Sequence, residues 1–339
     1  MAKLHEQPAW FWELLESQKQ EEGQSFTLNG SEMRMVGGIP RSENFLSSHQ
    51  TQTRDAFGFK WAKRDTFENK VADELKVWLA EKYGNILEEG WFQIDGESKL
   101  VLDAGCGASL SGLSFFEDHA DRIKYLGVDV SDAVETASIR MSERGFDAAF
   151  MQADLMHLPF GRDTFDLIFS EGVLHHTDST RQALSKLATH LKPGGRIIFY
   201  VYRKKGPIRE FTDDYIRDKV QGENPEDVWE ELKSLTKLGK LLGELEIEIE
   251  IPEAIDILEI PAGRINLQRL FYWHVCKTYY DPGMTLDEMN HLNYDWFAPK
   301  NAHRQKIEDV REWCSELDLV IERERVEDAG ISIVAVKSI

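Results

Sequence analysis

The stretch 99–112, KLVLDAGCGASLSG, constrains this chain more than any other. Leu100, Val101 and Leu102 form a short apolar run bounded by turn residues, the pattern of a buried parallel strand. Asp103 closes the run and Gly105 and Gly107 follow at once, where a missing Cβ lets the backbone turn tightly and approach a bound molecule. A helix starting near Ser109 would aim the free N–H groups of its first turn at the same point. Strand, glycine turn and helix N-terminus together predict a cradle for a nucleotide-type ligand.

Charge and composition narrow the partner classes. Of 339 residues, 42% are hydrophobic and 29% charged, ordinary proportions for a globular enzyme with a large core in one elaborated domain or two. The 60 Asp and Glu against 40 Lys and Arg leave a formal charge of −20, a field that repels phosphate backbones and anionic membranes. Nucleic acid is therefore not an expected partner. The N-terminal residues lack a basic segment followed by a long apolar one, and no run of about 18 apolar residues occurs, so neither a signal peptide nor a membrane span is expected. Cys106, Cys276 and Cys314 are scattered without metal-ligand spacing, which predicts no metal site and a reducing cytoplasm.

Along the chain, 10–18 reads as a short amphipathic helix and 25–41 as a hairpin with turns at Asn29-Gly30 and Gly37-Gly38. The basic-aromatic run 55–67 reads as a cap packing Phe57, Phe59 and Trp61, or as a place for Lys63 or Arg64 beside a cofactor carboxylate. Apolar spacing at Val71, Leu75, Trp78 and Leu79 predicts a helix over 68–83. Strands at 100–102, 125–129, 149–153, 165–170 and 196–202 then alternate with helical patterns at 109–120, 133–144 and 183–190, which predicts a doubly wound α/β fold with a mostly parallel sheet. Residues 204–303 break that rhythm and read as an insertion, with helices over 226–242, 267–280 and 285–296 and a strand over 244–251. Insertions over the C-terminal edge of such a sheet shape the substrate pocket. A helix over 307–317 and antiparallel strands over 320–325 and 331–337 close the chain. The expected organisation is an extension or cap over 1–67, a core over 68–203, an insertion over 204–303 and closing elements over 304–339.

The ligand of the cradle follows by elimination. A dinucleotide fingerprint needs a third glycine where Leu110 stands, and the phosphate-binding lysine pattern is absent. What remains is D-x-G-x-G with Asp129 at the end of the second strand and Asp154 at the end of the third. A carboxylate at Asp129 can accept from both ribose hydroxyls, and one at Asp154 from the exocyclic amine of adenine. The expected ligand is adenosine-like without phosphates.

The set VLDAGCG, GVDVS, QADLMHLPF, FDLIFSEGVLHH and LKPGG resembles class I S-adenosylmethionine-dependent methyltransferases over about 100–202. GGIPR with FGFKW before that region, and NYDWFAPKNAHR after the insertion, resemble the type-11-like small-molecule subgroup. The resemblance implies a Rossmann-like seven-stranded sheet with an antiparallel final strand, and S-adenosyl-L-methionine as cofactor. It implies that Asp103, Gly105, Cys106 and Gly107 line the methionine part, that Asp129 and Val130 meet the ribose, and that Asp154 and Leu155 meet the adenine. Ser170 and Glu171 would lie beside the sulfonium. Many relatives have glycine where Ser109 stands; its hydroxyl is expected to fit and to cap the following helix. Some members carry a cysteine-rich zinc module ahead of the GIPR segment, which this chain lacks.

Methyl transfer from a sulfonium depends mainly on alignment, and a base is needed only where the acceptor must lose a proton. His176, Glu171 and Tyr294 are the candidate catalytic residues, and His175, Tyr202, Arg203, Trp296 and His303 the candidate substrate contacts. Arg203, Lys204, Lys205 and Arg209, just beyond the fifth strand, form either a solvated turn or a clamp for a substrate carboxylate or phosphate. The expected partner is a small-molecule methyl acceptor. Three other readings stand beside it: a dehydrogenase of similar topology, a non-catalytic S-adenosylmethionine-binding module, and a methyltransferase acting on RNA or protein.

Overall fold

A computed structural model describes residues 5–43, 46–63, 71–84 and 98–339 of the chain. Arg64, the 67/68 boundary and most of the connector 84–98 lie outside the described residues. The central sheet has ten strands, in chain order β1 (Ser25–Leu28), β2 (Ser31–Val36), β3 (Ile39–Ser42), β4 (Lys99–Ala104), β5 (Ile123–Asp129), β6 (Ala148–Gln152), β7 (Phe165–Glu171) and β8 (Leu191–Tyr202), joined after the insertion by two more. The insertion holds a separate ribbon, β9 (Glu248–Ile251) with β10 (Gly263–Asn266), and the chain closes with β11 (Leu319–Val326) and β12 (Gly330–Lys337). The sheet order is β1-β2-β3-β6-β5-β4-β7-β8-β12-β11. The seven strands from β6 to β11 are the expected doubly wound set. β4, β5, β6, β7 and β8 run parallel, and β12 pairs antiparallel with both β8 and β11.

The expected N-terminal hairpin forms with both predicted turns, and it does more than pack beside the core. Its third strand joins the sheet edge, Arg41 pairing in parallel with Gln152 of β6.

Alternation along the strands divides the core in two, because successive side chains of a strand leave on opposite faces. Val101, Tyr125, Leu167 and Ile198 pack on one face, and Leu102, Leu126, Ile168 and Ile197 on the other. The first face is covered by α3 (Val71–Tyr83), α4 (Leu110–Phe116) and α5 (Ala133–Glu143). The second is covered by α1 (Ala9–Leu14), α6 (Thr180–His190) and α11 (Ile307–Glu316). The exposed edge strand β11 carries Glu322, Arg323, Glu324 and Arg325, charges that discourage edge-to-edge pairing.

The remaining helices roof the C-terminal edge of the sheet: α2 (Ser48–Ala62), α7 (Pro207–Val220), α8 (Pro225–Glu244), α9 (Leu267–His274) and α10 (Leu286–Phe297). α8 packs on α10 through a buried polar seam in which Thr236 donates to Asn290 at 2.7 Å and Asn293 donates to Thr236 at 2.9 Å. Three expectations change here. The 244–251 strand shrinks to Glu248–Ile251, because α8 continues through Glu244. The 267–280 helix stops at His274, and 275–281 continues without regular structure against α8, where Thr278 and Tyr280 fill the space left by Gly239 and Gly243. Residues 207–220, assigned no element from sequence, form α7, started by Pro207 at its first turn. Among the described residues no helix is long and apolar enough to cross a membrane.

Candidate functional site

β4 delivers the glycine turn to the middle of the sheet's C-terminal edge. Gly105 and Gly107 adopt φ of +85° and +51°, the region where a Cβ is unfavourable. A Cβ on Gly105 would also lie 2.2 Å from a Val173 methyl, and one on Gly107 would lie 3.0 Å from the Trp61 indole. The amides of Gly105 and Cys106 donate to Val128 O at 2.7 and 2.9 Å, so the turn is tied to β5. Ser109 takes the left-handed conformation that glycine adopts freely, with φ +55°. It does not cap α4, which starts at Leu110. Its hydroxyl lies 3.0 Å from Tyr125 Oη instead.

Asp129 ends β5 beside this turn. Its carboxylate accepts from the Gly107 amide at 2.9 Å, from the Ser131 amide at 2.8 Å and from the Ser131 hydroxyl at 2.7 Å. A carboxylate offers about four acceptor positions, so three donors leave room for another. Asp103 is buried and accepts from Tyr125 Oη, and burial pushes its carboxyl up to about 7. Burial likewise pushes the Cys106 thiol well above its usual value, so it stays protonated. Asp154 caps the turn after β6, accepting from the Met156 amide at 3.0 Å and lying 3.1 Å from His157 Nδ1. The Leu155 side chain packs in the core, while Val130 O accepts from Gln152 at 3.1 Å. Ser170 is fully buried and donates to Ala104 O at 2.9 Å, pinning β7 to β4.

Glu171, at the end of β7, has partners that sequence reasoning missed. Lys82 Nζ lies 2.5 Å from its Oε1, Tyr83 Oη donates to its Oε2, and both partners are buried. The ammonium sits between the rings of Trp78 and Tyr200, 3.7 and 3.8 Å from their centroids. Burial lowers the Lys82 pKa and Glu171 opposes that shift. The signal was present: Lys82 stands seven residues after Leu75 and three after Leu79, on the apolar stripe of α3.

Across the edge, β8 and the loop after β7 meet the roof. His175 stacks on Tyr202, centroids 3.7 Å apart, and Tyr202 packs on Trp296 at 4.5 Å. His176 Nδ1 lies 2.6 Å from Asn301 O, so that nitrogen carries the proton, and its buried Nε2 has no hydrogen-bond partner among the described residues. Burial lowers the His176 pKa to about 4. Asp295 accepts from Lys60 Nζ at 2.5 Å and Tyr202 Oη at 2.9 Å, joining α2, β8 and α10. Burial works against its charge, yet Lys60, His176 and Lys277 hold its carboxyl well below the usual range.

Other sequence candidates stand apart. Tyr294 is buried among Phe59 and Trp229, a packing position. Arg203 points toward the turn after β11, Nη1 3.4 Å from Asp328. Lys63 lies over Phe59 and Trp229, 4.7 Å from each centroid. His303 lines a cleft of about 630 Å³ between α6, α7 and α11, although its amide donates to His175 O at 2.9 Å. Asp178 of that cleft accepts from Ser47 at the start of α2, whereas Trp61 against Gly107 is at the far end of this 15-residue helix, about 22 Å away at 1.5 Å per residue.

Residues 102–199 match a family described as "Methyltransferase domain". The methyltransferase GfsG of Streptomyces halstedii is 31% identical over 148 residues, 42% of this chain and 51% of that protein. The phthiotriol/phenolphthiotriol dimycocerosates methyltransferase of Mycobacterium leprae is 21% identical, over 58% of this chain and 72% of that one. The ribosomal RNA small subunit methyltransferase C of Alcanivorax borkumensis is 30% identical, over 35% of this chain and 37% of that one. The match to GfsG thus spans about half of that relative's length. The methyltransferase-domain match falls on the strands and turns just described, from β4 to β8.

Proposed function

We propose that this chain transfers a methyl group from S-adenosylmethionine to a small-molecule acceptor. The observation that carries the reading is the Asp129–Gly107 contact, which joins the acid of β5 to the glycine turn of β4 and leaves an acceptor position for a ribose hydroxyl. The residues fit the cofactor. Gly105 and Gly107 add no side chain to the turn, Asp129 and Asp154 suit hydroxyl and amino donors, and a Cβ at Gly107 would intrude beside Trp61. Asp103, Gly105, Cys106 and Gly107 would hold its methionine part, Asp129 and Val130 its ribose, and Asp154 with Leu155 its adenine. When bound, its sulfonium supplies an electrophilic methyl group.

Ser170 and Glu171 would border the reacting centre. Lys82 and Tyr83 keep the Glu171 carboxylate neutralised and fixed, so it does not compete for the donor's positive charge. His176, neutral with Nε2 available, is the group proposed to take a proton where the acceptor has one to lose. Residues 204–303 would serve as the cap that excludes water from the acceptor. The −20 charge supports a small molecule over RNA, and three buried, unpaired cysteines suit a reducing cytoplasm.

The test is Asp129→Ala, measured by calorimetry with S-adenosylmethionine. The expected loss is about 1–3 kcal/mol of binding free energy, the worth of hydrogen bonds to a charged acceptor. Unchanged affinity would remove Asp129 from the site.

A further inference from the structure

The charge of this molecule is divided unevenly between outside and inside. The whole chain carries −20, yet among the described residues the buried charged ones include Lys60, Lys82, Lys205, Arg209, Arg217 and Lys277 against Asp103 and Asp213, with the Glu171 side chain also buried. Four of these cations surround one indole. Lys205, Arg209, Arg217 and Lys277 lie 5.7, 5.4, 4.8 and 4.9 Å from the Trp296 ring centroid.

Two of the four are neutralised. Arg209 Nε donates to Asp213 at 2.6 Å, and Arg217 Nη1 donates to Asp214 at 3.1 Å. The Asp213 carboxylate also accepts from Trp296 Nε1 at 2.7 Å and from the Lys277 amide at 3.2 Å, so its capacity is largely taken. Neither lysine has a carboxylate within 4 Å among the described residues, although Asp295 and Asp213 act on Lys277, and Asp328 on Lys205, from farther off. Lys205 Nζ donates only to main-chain carbonyls, those of Asp328 and Ala329. An ammonium withdrawn from water without an ion-pair partner in contact costs several kcal/mol, which carboxylates farther off offset only in part.

The position is informative. Lys205 follows the end of β8 by three residues, Lys277 lies just past α9, and Trp296 stacks on Tyr202 at the C-terminal edge of the sheet. Each lysine keeps 9% of its surface exposed, so neither is sealed from solvent.

We propose that Lys277 and Lys205, over the face of Trp296, form the binding site for an oxyanion of the methyl acceptor, a carboxylate or a phosphate. The proposal deepens the methyltransferase reading and rests on it for the identity of the ligand as acceptor. Burial lowers both lysines to about 7, so an arriving anion would restore full charge to groups half discharged at neutral pH.

The test is thermal unfolding of the full chain in sodium benzoate, in sodium phosphate, and in sodium chloride at matched ionic strength. Either oxyanion is expected to raise Tm saturably, by roughly 2–4 °C at ten times its Kd, beyond the effect of chloride. Benzoate alone acting assigns a carboxylate acceptor, and phosphate alone a phosphate ester. Lys277→Met should abolish the saturable rise, each melt being compared with that of the same variant without anion. Lys205→Met should weaken the rise as well, and it stands in should the first variant not fold. No rise beyond chloride, or a rise that survives both substitutions, would overturn the site. Calorimetry with S-adenosylmethionine on the same variants separates the two readings. Retained cofactor binding with no anion effect refutes the oxyanion site alone, whereas absent cofactor binding in the unsubstituted chain refutes the methyltransferase reading.

Discussion

Gly105 works under two constraints at once. Its φ of +85° lies where an L side chain is strained, and Val173 occupies the space a Cβ would take. Gly105→Ala is therefore expected to cost about 1–3 kcal/mol from backbone strain, plus the displacement of Val173. Urea unfolding measures that loss, and a variant within a few tenths of a kcal/mol of the original would contradict it. Ser109 shows the reverse case, a non-glycine residue held at φ +55° with its hydroxyl against Tyr125. The glycine turn and its neighbouring acids were legible in the sequence because each consequence is local: φ sign, absence of a Cβ, acid at a strand end. The loss of the Ser109 cap was not legible, because it depends on Tyr125 reaching over from β5.

Among the elements, α3 has the clearest task. Its last turn carries Lys82 and Tyr83 to the end of β7 and clamps Glu171 there. Lys82→Met should destabilise the chain by about 3–5 kcal/mol, the usual cost of stranding one member of a buried ion pair. Adding Glu171→Gln should recover much of that loss, since the stranded charge goes with it, and chemical unfolding of both variants checks the cycle. If the double variant is as unstable as the single one, packing and not charge sets the cost. The helix was legible from its apolar spacing, but its lysine was passed over as one more polar residue. A cation on the apolar stripe signals a buried acid, though not which acid. α7 was not legible at all. Its sequence PIREFTDDYIRDKV has no continuous apolar stripe, and it is held instead by ion pairs from Arg209, Asp213, Asp214 and Arg217.

At the scale of the whole molecule, histidines couple folding to pH. His175, His176 and His291 are buried and held neutral, His176 at about 4 and His291 at about 3, with burial the main cause in each. Their folded pKa values lie below the unfolded value near 6.5, so the unfolded chain binds protons first as pH falls. The stability they contribute is whole above pH 6.5 and is lost progressively toward pH 4. His176 alone accounts for about 3 kcal/mol of that loss at 1.36 kcal/mol per pKa unit. Urea midpoints at pH 7, 5.5 and 4.5 should fall steeply, and His176→Gln should flatten the slope. A parallel slope in that variant would show that the ring titrates freely in the fold.

The sequence by itself determined the alternating parallel sheet, the glycine turn with Asp129 and Asp154, and with them the resemblance to methyltransferases and the cofactor that resemblance implies. All of these rest on periodicity and stereochemistry within a few residues. Only the tertiary structure decided which charges meet. Lys82 reaches Glu171 across 89 residues of chain and Lys60 reaches Asp295 across 235. It also decided that the N-terminal strands extend the sheet and that the cations of the insertion gather on Trp296. Such pairings depend on how strands are ordered and where a roof of helices comes down, and no local pattern encodes a distance between residues that far apart.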